Sequence, residues 1–500
     1  MSLMYESTRT KKINRTPSES LLNGLSPDGG LFVLRDLDKI KININSLIGK
    51  NYYEIASEIL KKFLDFNDED INSCIFDAYK GKFVTDEPAN LVTLKNAHIL
   101  ELFNGPTSAF KDFGLLMLPQ LIKKALVKSS FKKDILILTA TSGDTGKAAL
   151  EGFKNVDRTK IIVFYPYQKV SKIQELQMLT QEGNNVGVGA IEGNFDDAQN
   201  GVKNLLTDEN FIKKLDHKNI QLSSANSINI GRLAAQTVYY FYSYIKLVEN
   251  NKIKMDDKIN FVVPTGNFGN ILSGYYGLKM GLPVNKFICA SNSNNVLYDF
   301  LNTGIYNKKR EFLTTISPSM DILISSNLER LLYYASNCNN EYVAQLMDEL
   351  KEKGEYQVNN KIFENIKEYF AGGFADDMDT KNTIKKVFEN EKYLLDPHTA
   401  VAYKIFSDYM EKHKDVLGGF ETVILSTASP YKFSKDVMDV FKDVSDTNIF
   451  TIMEQLYEMT KVPIPNDLKN LANKKILHNN VIKISQMEEL ILDILGRIEK

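Results

Sequence analysis

Cysteine is scarce in this 500-residue chain, and the three present, Cys74, Cys289 and Cys338, lie far apart. They make neither a disulfide framework nor a Cys-x-x-Cys zinc pair, which reads as a reducing compartment. Histidine is also sparse. His98, His217, His398, His413 and His478 show no HExxH or paired ligand spacing, so no metal centre is expected. Charge of one sign is lacking: 61 Lys and Arg face 63 Asp and Glu, a formal net charge of −2. That balance excludes a strongly basic protein that coats nucleic acid. No apolar run approaches the roughly 18 residues of a membrane span. The opening MSLMYESTRTKKINRTPSES carries charges with no apolar stretch behind them and does not read as a signal peptide. The G-x-S-x-G of serine hydrolases and the G-x-G-x-x-G of dinucleotide-binding folds are both missing. Gly187-Val188-Gly189, the nearest glycine pair, lies inside a strand-like run. These absences leave a cytoplasmic, multidomain protein, whose 43% hydrophobic residues supply ample core at this length.

What is present is an alternation of short apolar runs and longer helical stretches from about residue 134. DILILTAT, KIIVFYP, NVGVGAIEG, KINFVVPT, KFICASN and ETVILSTAS read as strands. Between them KAALEGFK, SKIQELQMLTQEG, DDAQNGVKNLLTD and ILSGYYGLKMGL read as helices. Val- and Ile-rich strands separated by helices predict an α/β fold of parallel sheets covered on both faces. Ligands in such folds bind in the loops after the strands. Residues 1–95 read as a mixed N-terminal region. Residues 300–395 read as a helical insertion broken at Gly372-Gly373, its Glu and Lys at helical spacing forming a solvated face.

Five segments at strand exits concentrate polar chemistry. Phe103–Phe113 (FNGPTSAFKDF) places Lys111 between aromatics at a helix start, where its pKa has reason to fall, as a Schiff-base lysine requires. Alone, it reads more readily as a snorkelling surface lysine. Ala140–Lys147 (ATSGDTGK) offers an anion cradle of N–H groups and hydroxyls, or simply a capped helix start. It is no P-loop, because only two residues separate its glycines and Ala148 follows the lysine. Pro264–Asn270 (PTGNFGN) suits a single phosphate at a helix N-terminus. Ser224–Arg232 (SANSINIGR) suits a second anion clamped by the guanidinium, or an Asn/Ser N-cap beside a surface arginine. Leu425–Lys432 (LSTASPYK) puts hydroxyls at a further exit. His398, in LDPHTAVAY, reads as a helix-start or packing histidine rather than a base.

In this order, with Tyr5–Arg9 and Pro27–Phe32 ahead of them, these segments resemble threonine synthase, a pyridoxal-phosphate enzyme of the tryptophan-synthase-β fold type. The resemblance spans roughly residues 5–435 and matches the branch with a long N-terminal region found in bacteria and fungi. It implies a fold-type II enzyme with two parallel-rich open sheets flanked by helices. The implied parts are an N-terminal region (1–95), a smaller unit with the lysine and anion loop (96–235) and a larger unit with the cofactor-phosphate loop and the insertion (236–500). Lys111 would carry pyridoxal 5'-phosphate. Gly266, Asn267, Phe268 and Asn270 would hold the cofactor phosphate, and Thr427 the pyridine nitrogen. Ser142, Thr145, Asn226, Ser227 and Arg232 match positions that bind the substrate's carboxylate or phosphate. Two departures stand out: many relatives carry Asp where Asn270 stands, and some carry His where Ser429 stands. The implied reaction is O-phospho-L-homoserine plus water to L-threonine plus phosphate. The implied partner is this small molecule, not nucleic acid or membrane, in a monomer or homodimer. A dehydratase or phospholyase of the same fold type would share Lys111 and the glycine loop but have no need of SANSINIGR. A non-catalytic binding protein that kept the fold would lack a cofactor spectrum.

Overall fold

The computed structural model describes residues 3–141, 143–445 and 448–498. The Val/Ile-rich runs form two central sheets, as their composition predicts. In the six-stranded sheet the order is Phe370–Phe374, Val284–Ser291, Ile259–Pro264, Thr422–Ser426, His98–Glu101, Asn90–Thr93. All neighbours are parallel except the last pair, which is antiparallel. The five-stranded sheet is parallel throughout, ordered Asn480–Ile482, Val186–Ile191, Thr159–Pro166, Asp134–Ala140, Ile220–Ser223. Ile259–Pro264 and Thr422–Ser426 are buried at every residue, which is why their apolar residues run consecutively rather than alternating.

Two strands depart from the expected partition. His98–Glu101, expected in the smaller unit from residue 96, pairs in the six-stranded sheet, and Asn480–Ile482, expected in the larger unit, pairs in the five-stranded one. Sequence proximity suggested otherwise, but His98–Glu101 is held between Thr422–Ser426 and Asn90–Thr93, and Asn480–Ile482 pairs parallel with Val186–Ile191. The 300–395 stretch is also more than a helical insertion. Its Gly372-Gly373 lies within Phe370–Phe374, the edge of the six-stranded sheet, and Ile305–Asn307 pairs antiparallel with Glu355–Gln357. The N-terminal region adds a small sheet with Tyr5–Ser7 between Asn14–Arg15 and Phe32–Leu34; helix Pro17–Asn23 links two of its strands, and helices Tyr52–Leu60 and Asp68–Tyr79 follow it.

Two buried helices fix the geometry of the site. Lys111–Lys128 begins at the candidate lysine, and Ile230–Glu249 begins just before Arg232. Glycines let the surrounding backbones close in. A Cβ on Gly152, in helix Asp144–Phe153, would lie 1.8 Å from the Leu115 carbonyl oxygen, and one on Gly114 would lie 3.3 Å from Arg232 Cβ. Phe113 packs its ring 5.6 Å from Tyr52 and 5.4 Å from Tyr239, tilted or edge-on. Burying such a ring is worth about 2–3 kcal/mol, so the helix that carries Lys111 is anchored to both the N-terminal region and the arginine helix. Among the described residues, no helix is long and apolar enough to cross a membrane.

Candidate active site

The five polar segments each leave the carboxyl end of a strand, and contacts between them draw them together. The lysine loop runs alongside the turn after Thr422–Ser426. Phe110 N–H donates to the Thr427 carbonyl at 2.9 Å, Ser429 N–H to the Ser108 carbonyl at 3.0 Å, and Ala109 bridges Ala428. Thr427 is thereby buried beside the start of the Lys111 helix. Asp112 braces the same loop, accepting from Thr107 N–H at 2.9 Å and Thr107 Oγ1 at 2.6 Å. A Cβ on Gly105 would meet that carboxylate at 2.5 Å, so only glycine fits.

Lys111 opens its helix, as its spacing predicts, half-buried with its amine 3.4 Å from Ser319 Oγ. Burial lowers its pKa to about 8; Asp144 pulls the other way, and Lys432 and Arg232 push it down further. Lys432 and Asp144 form a buried ion pair at 2.6 Å, and Lys432 also donates to the Thr107 carbonyl at 2.9 Å. Burial by itself would keep Asp144 neutral, but Lys432 and Lys111 hold its carboxyl well below the usual range. Neither Asp144 nor Lys432 stood out in the sequence, although both lie inside motifs that did. Their roles emerge only when the two loops meet.

The other predicted residues fall as follows. Ser142 lies outside the described residues. Thr145 is half-buried in the first turn of Asp144–Phe153. The expected cradle of N–H groups in this loop is partly spent, because Gly143 and Gly146 N–H both donate to Thr141 Oγ1 at 2.9 Å. Asn226 and Ser227 are half-buried in the loop ahead of the arginine helix. Asn229 caps that helix, accepting from Gly231 N–H at 3.0 Å. The N-cap alternative therefore holds for Asn229, but the arginine is no surface residue. Arg232 is only 4% exposed; its Nη1 donates to the Ala225 carbonyl at 3.1 Å, and its Nε has no partner among the described residues. Burial lowers its pKa to about 10, with Tyr239 opposing, so it stays a cation. A desolvated cation without a carboxylate and with an unspent donor is a place for an anion.

Gly266, Asn267 and Phe268 form the turn after Ile259–Pro264, and Phe268, at φ 60°, caps helix Gly269–Lys279 in the left-handed region. The first N–H groups of that helix have no intrahelical acceptor and suit a phosphate. The Asn270 side chain faces the arginine helix, its Oδ1 accepting from Tyr239 at 2.6 Å and Tyr240 at 3.0 Å. This leaves Nδ2 buried without a partner among the described residues. His398, in the first turn of Pro397–Lys412, sits 2.9 Å from the Asp396 cap through Nδ1 and accepts from Ser319 N–H at 3.1 Å through Nε2. A backbone N–H can only donate, so the imidazole proton sits on Nδ1 and the ring acts as a brace for Ser319.

An amine with a lowered pKa, a helix start with free N–H groups and a buried arginine that acts on that amine match the donor set that pyridoxal phosphate and an anionic amino acid require. The family described as pyridoxal-phosphate dependent enzyme matches residues 97–428, and the threonine synthase N terminus matches residues 4–79. Fold and site together thus define a pyridoxal-phosphate-dependent enzyme. The threonine synthase of Saccharomyces cerevisiae is 35% identical over 508 aligned residues, covering 95% of this chain and 94% of that one. That of Pseudomonas aeruginosa is 37% identical, covering 87% and 90%. The crystal structure of the pyridoxal-phosphate-bound threonine synthase from Brucella melitensis superposes with a TM-score of 0.86 at 35% identity over 100% of this chain and 99% of that one. The chain belongs to the threonine synthase family.

The lowered pKa of Lys111 has a direct kinetic consequence, because only the neutral amine is nucleophilic. Uptake of pyridoxal phosphate by cofactor-free protein should accelerate with pH and level off near pH 8. An unperturbed lysine would keep accelerating to about pH 10.4. Stopped-flow absorbance of cofactor binding across that range measures the plateau.

Proposed function

We propose that the substrate is O-phospho-L-homoserine, converted with water to L-threonine and phosphate in a cytoplasmic setting, and that the residues above divide the work. The observation that carries this reading is Arg232, a buried guanidinium without a carboxylate partner among the described residues, beside a lysine of lowered pKa. A cofactor phosphate at Gly269–Lys279 leaves Arg232 and Ser227 free for a second phosphate, which a substrate lacking one would not need.

Bound pyridoxal phosphate supplies the electron sink that makes the Cα and Cβ protons of an amino acid removable. Lys111 holds the cofactor, and its amine is the group poised to take the proton from Cα and then to handle the one at Cβ. Loss of phosphate from Cγ needs its charge met. Arg232 supplies the cation, a pre-organised group worth roughly 3–4 kcal/mol in a dry site, and the half-buried Ser227 and Asn226 add neutral donors that hold the phosphate. Thr145, in the first turn of Asp144–Phe153, suits the carboxylate, and Ser142 is assigned with it from the sequence motif alone. Thr427, a neutral hydroxyl, would leave the pyridine nitrogen largely unprotonated and restrain side reactions that a carboxylate there would promote. Asp144 balances Lys111 and Lys432, so that two amines can share the cleft. The free thiols fit the cytoplasmic setting, with Cys74 and Cys289 buried and Cys338 half-buried.

The test is phosphate release from O-phospho-L-homoserine by the cofactor-loaded protein, with threonine quantified alongside. Equal amounts of the two products are expected. Phosphate accompanied by 2-oxobutyrate would identify a phospholyase, and no phosphate from protein that holds the cofactor would overturn the assignment of substrate.

A further inference from the structure

The two anion-binding loops come from different parts of the chain, and one short segment of the 300–395 stretch ties them together. Asn327 directly precedes helix Leu328–Ala335. Its backbone N–H donates to the Asn267 carbonyl at 3.1 Å, and its Nδ2 donates to the same carbonyl at 2.9 Å and to Ser227 Oγ at 3.1 Å. Two residues earlier, Ser325 Oγ donates to the Gly266 carbonyl at 2.8 Å. Gly269 lies between the partners: a Cβ there would sit 3.3 Å from Asn327 Nδ2 and 3.5 Å from Ser227 Cβ.

Arg330 decides which way the Asn327 amide faces. It is completely buried, and each of its nitrogens is used in a different direction. Nη1 donates to Asn327 Oδ1 at 2.5 Å, Nη2 to the Ile228 carbonyl at 2.6 Å, and Nε to the Phe32 carbonyl at 3.0 Å. A guanidinium can only donate, so the amide oxygen of Asn327 must face it and the amide nitrogen must face Ser227 and Asn267. The same fork holds the Ser227 loop directly through Ile228 and reaches the N-terminal sheet through Phe32.

We propose that Asn327 and Arg330 are positioning residues that hold Ser227, and the loop it belongs to, in register with the cofactor-phosphate loop. This rests on the reading of Ser227 as a contact of the substrate phosphate. Asn327 orients the Ser227 hydroxyl by donating to its oxygen, which leaves the hydroxyl proton as the donor to the substrate. Arg330 keeps Asn327 from rotating into the alternative in which its oxygen would confront the Ser227 oxygen and the Asn267 carbonyl.

A double-mutant cycle on the holoenzyme separates this from a general structural role. Ser227→Ala and Asn327→Ala should each raise the KM for O-phospho-L-homoserine about tenfold, the scale of one lost hydrogen bond to a buried group, with kcat changed less. If Asn327 acts through Ser227, the double variant should also sit near tenfold rather than the hundredfold of independent sites. Asn327→Ser, whose hydroxyl is too short to reach Ser227, completes the same cycle should the alanine variant not fold. A KM for Ser227→Ala within twofold of the parent overturns the reading of Ser227 and the inference with it. A raised KM for Ser227→Ala with effects that multiply in the double variant, or an unchanged KM for Asn327→Ala, overturns the positioning role of Asn327 and Arg330 alone.

Discussion

Lys111→Ala is expected to abolish turnover, by at least about 10³-fold, and to remove the visible absorbance of lysine-bound cofactor. The expected size follows from the roles combined in one amine, since proton transfer by a positioned base contributes roughly 10²–10⁴-fold even without covalent attachment. The surroundings should survive. The Asp144–Lys432 pair is made at 2.6 Å without Lys111, and Phe110 and Ser429 keep the loop zipped to the 427–429 turn. Removing a desolvated ammonium also removes a cost of folding, so the melting temperature should hold or rise. Absorbance after dialysis, phosphate release and thermal unfolding check the three statements separately. An unchanged spectrum would rule Lys111 out as the attachment point.

Arg232→Met should lower kcat/KM for O-phospho-L-homoserine by about 10²–10³-fold, the loss expected when a desolvated charge that meets developing negative charge is taken away. Methionine keeps the stem that packs against Gly114, so the lost interactions are the charge and its donors. Cofactor affinity should change little, because Arg232 belongs to the 224–232 loop rather than to the 265–268 turn. Stability should not fall, as an unpaired buried cation is replaced by an apolar side chain of similar length. Titration of apoprotein with pyridoxal phosphate beside steady-state kinetics reads both sides. Equal loss in both would place Arg232 at the cofactor instead of the substrate.

The parts legible in the sequence were those encoded within a dozen residues. DILILTAT, KIIVFYP and KINFVVPT form Asp134–Ala140, Thr159–Pro166 and Ile259–Pro264 because continuous β-branched and apolar runs suit a strand covered on both faces. Lys111 at a helix start and the glycine turn before Gly269–Lys279 are likewise local, since a strand, a turn and a cap are all set by neighbours in the chain. The Glu/Lys-rich helices of the 300–395 stretch looked like a solvated face, and their periodicity carried nothing about Phe370–Phe374 closing a sheet edge.

Sequence by itself therefore determined the α/β class, the candidate loops at the strand exits and the family to which the chain belongs, because each rests on short-range patterns. Tertiary structure alone decided what those loops do to one another. Lys432 reaches Asp144 across 288 positions, Arg330 reaches Phe32 across 298, and Asn327 reaches Ser227 across 100. A buried lysine, arginine or asparagine looks no different in sequence from an exposed one. Only the fold shows whether its charge is met, which of its donors are spent, and which are left for a ligand.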